Sequence, residues 1–111
     1  MWKYKTEKEN TAVITPPKSI NYDTLEDFRK LIKKLTESGC VNAVINMKNA
    51  IYIDSSGLGT LVKAAADLKN AGGNLKLADV SQGIMDILKI TSLHKVLKVY
   101  EDTETALKNY E

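Results

Sequence analysis

Short strand-like runs alternate with helix-like segments along the chain, and this alternation limits the possible fold more than any other sequence feature. Strand-like patterns cover five segments: residues 1–9, 11–15, 41–47, 74–78 and 95–100. Apolar residues at spacings of three and four indicate four helices. The first is predicted to be capped by Asp23 or Thr24, to run to Leu35 and to stop at a left-handed Gly39. The others run from Asp54 to about Ala71, from a cap at Ser81 to Leu88, and from a cap at Thr103 to Leu107. Strands separated by helices need crossover connections. The order therefore predicts an α/β fold, with a mixed, mostly parallel sheet of about five strands packed with four to five α-helices.

Composition excludes several functional classes. The 111 residues (12.3 kDa) predict one domain over 1–111, and a net charge of +2 with Arg29 as the only arginine argues against a dedicated nucleic-acid binder. One cysteine, Cys40, excludes an internal disulfide and is predicted to be a buried, reduced thiol. One histidine, His94, excludes a zinc site of the usual Cys/His kind. No apolar run is long enough for a membrane span, and no signal peptide is evident at the N-terminus. These features predict a cytoplasmic domain without a cofactor or metal.

The segment Ile53–Gly59, with the sequence Ile-Asp-Ser-Ser-Gly-Leu-Gly, is the most informative part of the chain because it joins a strand-like run to a helix. A helix N-terminus presents unpaired backbone N–H groups. An anion there would meet the N–H groups of Ser56, Gly57 and Leu58. The simpler interpretation is structural: Asp54 or Ser55 caps the helix, and the two glycines let it pack close to the sheet. A serine nucleophile would need a base, and the only histidine lies forty residues away.

The same residues resemble a known family. The run Asp54–Gly59, preceded by Val44–Met47 and Ile51–Ile53, resembles the signature of the STAS family and, more narrowly, of bacterial anti-sigma factor antagonists. The resemblance continues in Gly72–Leu77, in Leu88–Leu93 and in the final segment from Val99 to Leu107, and it is weak before residue 41.

The resemblance implies a protein-binding switch and no catalytic residues in this chain. Such antagonists bind an anti-sigma factor, often one that is also a serine kinase, and so release a sigma factor. The kinase phosphorylates the serine after the motif aspartate, here Ser55, and a PP2C-type phosphatase removes the phosphate. By the same carry-over, the partner-docking surface would be bordered by Asp54, Ser56, Gly57, Leu58 and Gly59.

One departure from the family pattern concerns Lys18. Antagonists usually carry Gly-Glu-Leu-Asp before the first helix, with the acid near the phosphorylation site. Aligning on Leu25 places Thr15-Pro16-Pro17-Lys18 there, so Lys18 could pair with Asp54 or attract a phosphate on Ser55. Alternatives remain: a STAS subunit of a transport or stress-scaffold complex that is never phosphorylated, or a small-nucleotide sensor. A homodimer is also possible, with Trp2 and Tyr4 marking the dimer face if they are exposed.

Overall fold

A five-stranded sheet lies at the centre of the structure, a computed structural model that describes residues 2–8 and 10–110. Its strands in chain order are β1 (Lys3–Lys8), β2 (Thr11–Thr15), β4 (Asn42–Asn46), β6 (Asn74–Ala78) and β7 (Lys98–Tyr100). They lie side by side in the order β1-β2-β4-β6-β7. The pair β1–β2 is antiparallel and the other three pairs are parallel. A separate parallel pair is formed by β3 (Ser19–Ile20) and β5 (Tyr52–Ile53).

Four α-helices pack on this sheet. They are α1 (Leu25–Glu37), α2 (Ser55–Asn70), α3 (Gln82–Ile90) and α4 (Thr103–Lys108). Alternate residues of β2, β4 and β6 point to opposite faces of the sheet. Ile14, Ile45 and Leu77 pack into the large core with the apolar sides of α1, α2 and α3. Val44 and Ala78 pack against α4 on the other face. The expected α/β fold, with a mixed, mostly parallel five-stranded sheet and four helices, is confirmed.

Several local expectations are also confirmed. Gly39 has a φ of +88°, as expected for the left-handed residue that ends α1. Ser81 caps α3 by accepting a hydrogen bond from the N–H of Ile84 at 3.2 Å. Cys40 is buried, and desolvation of the thiolate raises the pKa of its thiol, so the group stays protonated and unreactive at neutral pH.

Two predicted caps and one strand boundary are wrong. Thr24 makes no side-chain cap of α1, because a 3₁₀ turn over Tyr22–Thr24, capped by Asn21, precedes that helix. Thr103 does not cap α4: Asp102 does, accepting from the N–H of Thr105 at 2.7 Å. The last strand begins at Lys98 rather than at residue 95, because residues 93–95 form another 3₁₀ turn. At the two caps, a polar residue near the expected one, Asn21 or Asp102, makes the capping hydrogen bond.

The two N-terminal aromatic residues have different surroundings. Trp2 is buried, with its ring centroid 4.4 Å from that of Phe28 and its indole N–H donating to the carbonyl of Thr24 at 2.7 Å. Tyr4 is 41% exposed, with the Lys34 ammonium 5.6 Å from its ring centroid. The condition stated for a dimer face, exposure of these two residues, is therefore met in part by Tyr4 and not by Trp2. Within the described ranges, no helix combines the length and apolar character needed to cross a membrane.

Candidate functional site

The start of α2 is held in place by the two-stranded pair β3–β5. Ser19 lies opposite Tyr52 and Ile20 lies opposite Ile53 in this parallel pair. The backbone N–H of Asp54 then donates to the carbonyl of Ile20 at 3.1 Å. The segment before α1 and the segment before α2 therefore run side by side up to the first turn of α2.

Asp54 is the N-cap of α2 and also joins these two segments. One carboxylate oxygen, Oδ1, accepts from the N–H of Gly57 at 2.8 Å, which is the usual N-cap bond. The other, Oδ2, accepts from the N–H of Tyr22 at 3.3 Å. The prediction that Asp54 or Ser55 caps the helix is confirmed for Asp54. Its second bond ties the turn before α1 to the start of α2.

The two motif glycines have different roles. A Cβ atom on Gly57 would lie 2.7 Å from the carbonyl oxygen of Ile20 and 2.8 Å from Cγ1 of Ile53, so only glycine lets α2 begin this close to β3 and β5. At Gly59 a Cβ atom would meet nothing within 4 Å. The expected close approach is confirmed for Gly57 and wrong for Gly59, which lies on the outer side of the helix.

The residues predicted for the docking surface divide by exposure. Ser55 and Gly59 are exposed, and Asp54 and Ser56 are partly exposed. Gly57 and Leu58 are buried, and Leu58 belongs to the main core. The accessible part of the motif is therefore the first helical turn around Ser55. Gly57 and Leu58 lie on the buried side of this turn.

An anion at this helix end would find fewer free donors than the sequence suggested. The N–H of Gly57 is bonded to the Asp54 carboxylate, and the N–H of Leu58 donates to the Asp54 carbonyl at 3.0 Å. Of the three groups predicted to meet an anion, only that of Ser56 has no acceptor among the described residues. The expectation of three available donors is wrong, because the capping aspartate already uses two of them.

Lys18 is tied by its backbone to the beginning of β5. Its side chain is exposed and makes no ion pair with Asp54, while its carbonyl accepts from the N–H groups of Ile51 and Tyr52 at 2.8 and 3.2 Å. The residues beside Asp54 are instead Ile20 and Tyr22, through the two hydrogen bonds described above.

Sequence reasoning missed Asn21, Tyr22 and Tyr52 as residues near the site. Tyr22 is 75% exposed and Tyr52 is 55% exposed. Strands of two residues carry no periodicity, so the β3–β5 pairing could not be found from the pattern. Tyr22 could have been noticed as a large aromatic residue just before an amphipathic helix.

Elsewhere the described residues offer no catalytic arrangement around Ser55. His94 lies in the 3₁₀ turn after α3, where its Nδ1 is 3.3 Å from the carbonyl oxygen of Leu88, and it makes no hydrogen bond to Ser55. No cluster of three or more His, Cys, Asp or Glu side chains within 2–8 and 10–110 is arranged to hold a metal ion. A groove of about 590 Å³ lies between α1 and α2, floored by Phe28, Ile32 and Ala64, and Ser55 is not among its lining residues.

Comparisons with known proteins agree with this geometry. The anti-sigma-B factor antagonist of Staphylococcus epidermidis is 30% identical over 81 residues, which are 73% of this chain and 75% of that protein. The crystal structure of TM1081 from Thermotoga maritima superposes with a TM-score of 0.88 at 21% identity, covering 97% of this chain and 92% of that one. The phosphorylated form of the Bacillus cell fate determinant SpoIIAA superposes with a TM-score of 0.78 at 18% identity over the full length of both chains. The model of the STAS domain matches residues 3–106, and the chain belongs to the STAS domain family.

Proposed function

We propose that this protein is an anti-sigma factor antagonist. In its unphosphorylated form it binds an anti-sigma factor, one that is also a serine kinase, and so releases a sigma factor. Phosphorylation of Ser55 ends the interaction, and a PP2C-type phosphatase restores it. The protein acts in the cytoplasm as a single domain over 1–111, without a cofactor. It is not an enzyme, because Ser55 is the substrate of the partner's chemistry.

The observation that carries this proposal is the position of Ser55 at the start of α2. Its side chain is exposed, so a kinase can reach the hydroxyl, and it directly follows an aspartate that already neutralises part of the helix N-terminus. A phosphate adds about −1.5 to −2 charges at neutral pH. These charges would lie beside the Asp54 carboxylate, where two of the nearby N–H donors are occupied.

The size of this effect is sufficient for a switch. A partner surface that fits a neutral hydroxyl would have to desolvate two neighbouring negative groups after phosphorylation. Unpaired charge buried at an interface costs several kcal/mol, and each ~1.4 kcal/mol lowers affinity about tenfold. The curated relative from Staphylococcus epidermidis carries the same function in its name, which supports the proposal.

The test is a binding measurement with each anti-sigma factor of the source organism, purified separately. We expect one of them to bind the wild-type protein and to bind Ser55→Asp at least about 100-fold more weakly. Ser56→Asp is the matched control, since it adds a charge one residue further along the same turn, at a half-buried position. It should weaken binding less than Ser55→Asp.

Intact-mass analysis of protein from the native cell completes the test, with one phosphate mapped to Ser55 as the expected result. Equal binding by the wild type and Ser55→Asp would contradict the switch and favour the unphosphorylated STAS subunit. Micromolar binding of ATP or GTP with no anti-sigma factor bound would favour the nucleotide sensor.

A further inference from the structure

Large hydrophobic side chains are exposed on both segments that adjoin Ser55. Tyr22 is 75% exposed, Ile51 is 74% exposed and Tyr52 is 55% exposed. We refer to these three residues as the serine-flanking surface. The other large hydrophobic residues exposed in the described ranges are Tyr4, Ile90 and Val96, on strand β1, at the end of α3 and just after the second 3₁₀ turn. Half of this set therefore belongs to two short segments that are hydrogen-bonded to each other.

A hydrogen bond places the backbone of Tyr22 beside Asp54, the residue that precedes Ser55. In the β3–β5 pair, Ser19 lies opposite Tyr52 and Ile20 lies opposite Ile53. The pairing ends there, because Tyr22 begins a 3₁₀ turn and Ser55 begins α2. The bond between the Tyr22 N–H and the Asp54 carboxylate, at 3.3 Å, confirms that the two segments remain adjacent at this point.

The strand alternation directs Tyr52 outward. Ile53 is 4% exposed and packs into the core, so the neighbouring Tyr52 side chain points to the opposite side, away from the core. Tyr52 lies three residues before Ser55 in the chain. Ile51, at the beginning of the same segment, is fixed by its N–H bond of 2.8 Å to the carbonyl of Lys18.

We propose that the serine-flanking surface is the anchor by which this protein holds its anti-sigma factor, with Tyr22 and Tyr52 contributing most of the affinity and Ser55 acting as the switch beside them. This inference rests on the function proposed above. The partner that binds this surface is the anti-sigma factor. Its matching surface is uncharged and apolar, with hydrogen-bond acceptors for the two phenol hydroxyls.

Two observations argue for this occupant. Tyrosine is enriched among the residues that dominate binding energy at interfaces, because its large rigid ring buries much area at little entropic cost. In addition, the surface is continuous with the phosphorylation site through Asp54, whose carboxylate bonds both the Tyr22 N–H and the first turn of α2. A phosphate on Ser55 would therefore place its charge at the edge of the partner's apolar surface, where the free-energy cost of desolvating the charge is greatest.

The experiment measures Kd for the cognate anti-sigma factor identified from the source organism's purified set. We expect Tyr22→Ala and Tyr52→Ala each to raise Kd about tenfold or more. Tyr22→Phe keeps the ring and should therefore retain most of the affinity. Tyr52→Thr removes the ring but keeps a residue suited to a strand, so it replaces Tyr52→Ala if that variant disturbs β5. The matched controls are Tyr4→Ala and Ile90→Ala, which remove exposed large side chains elsewhere and should change Kd less than about twofold.

Each outcome separates this inference from the proposed function. If wild type binds and Ser55→Asp does not, while the tyrosine variants bind within about twofold, the anchor is rejected and the switch stands. If no anti-sigma factor binds wild type, both are rejected. Sedimentation of all variants tests whether a second copy of this chain binds the surface instead. If the tyrosine variants lose self-association while their binding to the anti-sigma factor is unchanged, the surface joins two copies of this chain and the inference is overturned.

Discussion

Two helices of this protein begin with the same pair of residue types, an aspartate followed by a hydroxyl residue, and their surroundings differ. Helix α2 begins at Asp54-Ser55 and helix α4 at Asp102-Thr103. Both aspartates cap their helix through the N–H three residues later, at 2.8 and 2.7 Å. The local capping chemistry at the two ends is therefore the same.

The difference lies in what surrounds the caps. Ser55 is exposed, whereas the hydroxyl oxygen of Thr103 is buried and has no hydrogen-bond partner among the described residues. Asp54 also accepts from Tyr22 on a distant segment, whereas Asp102 accepts from no other segment among the described residues. An aspartate followed by a hydroxyl residue therefore predicts a helix cap and nothing more. Whether the hydroxyl can also be a candidate switch depends on where the helix end lies in the fold.

The largest contrast concerns phosphorylation. With the cognate kinase and ATP, Ser55→Ala should reduce phosphate incorporation to background, because the only accessible hydroxyl of the pair is removed. Thr103→Ala should leave incorporation unchanged, since a kinase cannot reach a buried oxygen. Radiolabel incorporation or intact mass measures both. Full phosphorylation of Ser55→Ala would show that the acceptor has been assigned to the wrong residue.

The next largest contrast concerns the third residue of each helix and the effect of its surroundings on stability. This residue is the buried Gly57 in α2 and the exposed Thr105 in α4. Gly57→Ala forces a Cβ atom against the carbonyl of Ile20, and we expect a loss of about 1–3 kcal/mol in the free energy of unfolding. Gly59→Ala, the control in the same helix, should instead stabilise by about 0.5–1 kcal/mol, because its Cβ meets nothing and alanine favours the helix. Urea unfolding measures both, and equal effects would contradict the close approach at Gly57.

Removal of the caps should have a smaller effect. Asp54→Ala removes the cap bond and the bond to Tyr22, and it should lower the free energy of unfolding by about 1–2 kcal/mol. Asp102→Ala removes only a cap and should cost less. A larger loss for Asp102→Ala in urea unfolding would show that the Tyr22 bond contributes nothing.

The Asp102 cap also predicts a pH dependence. The backbone N–H and side chain of Thr105 hold the pKa of the Asp102 carboxyl below its ordinary value of 3.8. Its contribution to stability is therefore complete above that value and is lost as the pH falls through the lower folded-state pKa. The stability difference between wild type and Asp102→Asn should shrink accordingly in acid unfolding curves, and a difference that persists would contradict this linkage.

The smallest effect is expected at the unpartnered hydroxyl. Thr103→Val puts a methyl group of similar shape in place of a buried oxygen that has no hydrogen-bond partner among the described residues. We expect the free energy of unfolding to stay within about 0.5 kcal/mol or to rise slightly. A clear loss in thermal unfolding would mean that this oxygen is hydrogen-bonded in solution.

The long periodic segments of the sequence predicted most of the fold, and short-range polar signals predicted part of the site. The apolar face of α1 and the run at 41–47 were sufficient for the helix and the buried strand, because burial imposes a regular spacing on many residues. Asp54 was identified as a possible cap because capping acts over three residues. The bond from Tyr22 to Asp54 could not be predicted, since it joins residues 32 positions apart through two strands too short to show a pattern.

The family resemblance predicted Ser55 as the phosphate acceptor, and the structure adds that this residue is exposed. It also contradicts two expectations, an ion pair between Lys18 and Asp54 and a close approach at Gly59. Both errors came from treating a position in sequence as a position in space. Lys18 lies beside the beginning of β5 and Gly59 on the outer side of α2.

The buried tryptophan has a practical consequence. Trp2 is the only tryptophan in the chain, and its indole N–H donates to the carbonyl of Thr24, in the same 3₁₀ turn that begins with Tyr22. Its fluorescence is therefore a built-in optical reporter of that turn. Emission recorded during a titration with an anti-sigma factor would follow any displacement of the Tyr22 segment in real time, without a dye or an added label.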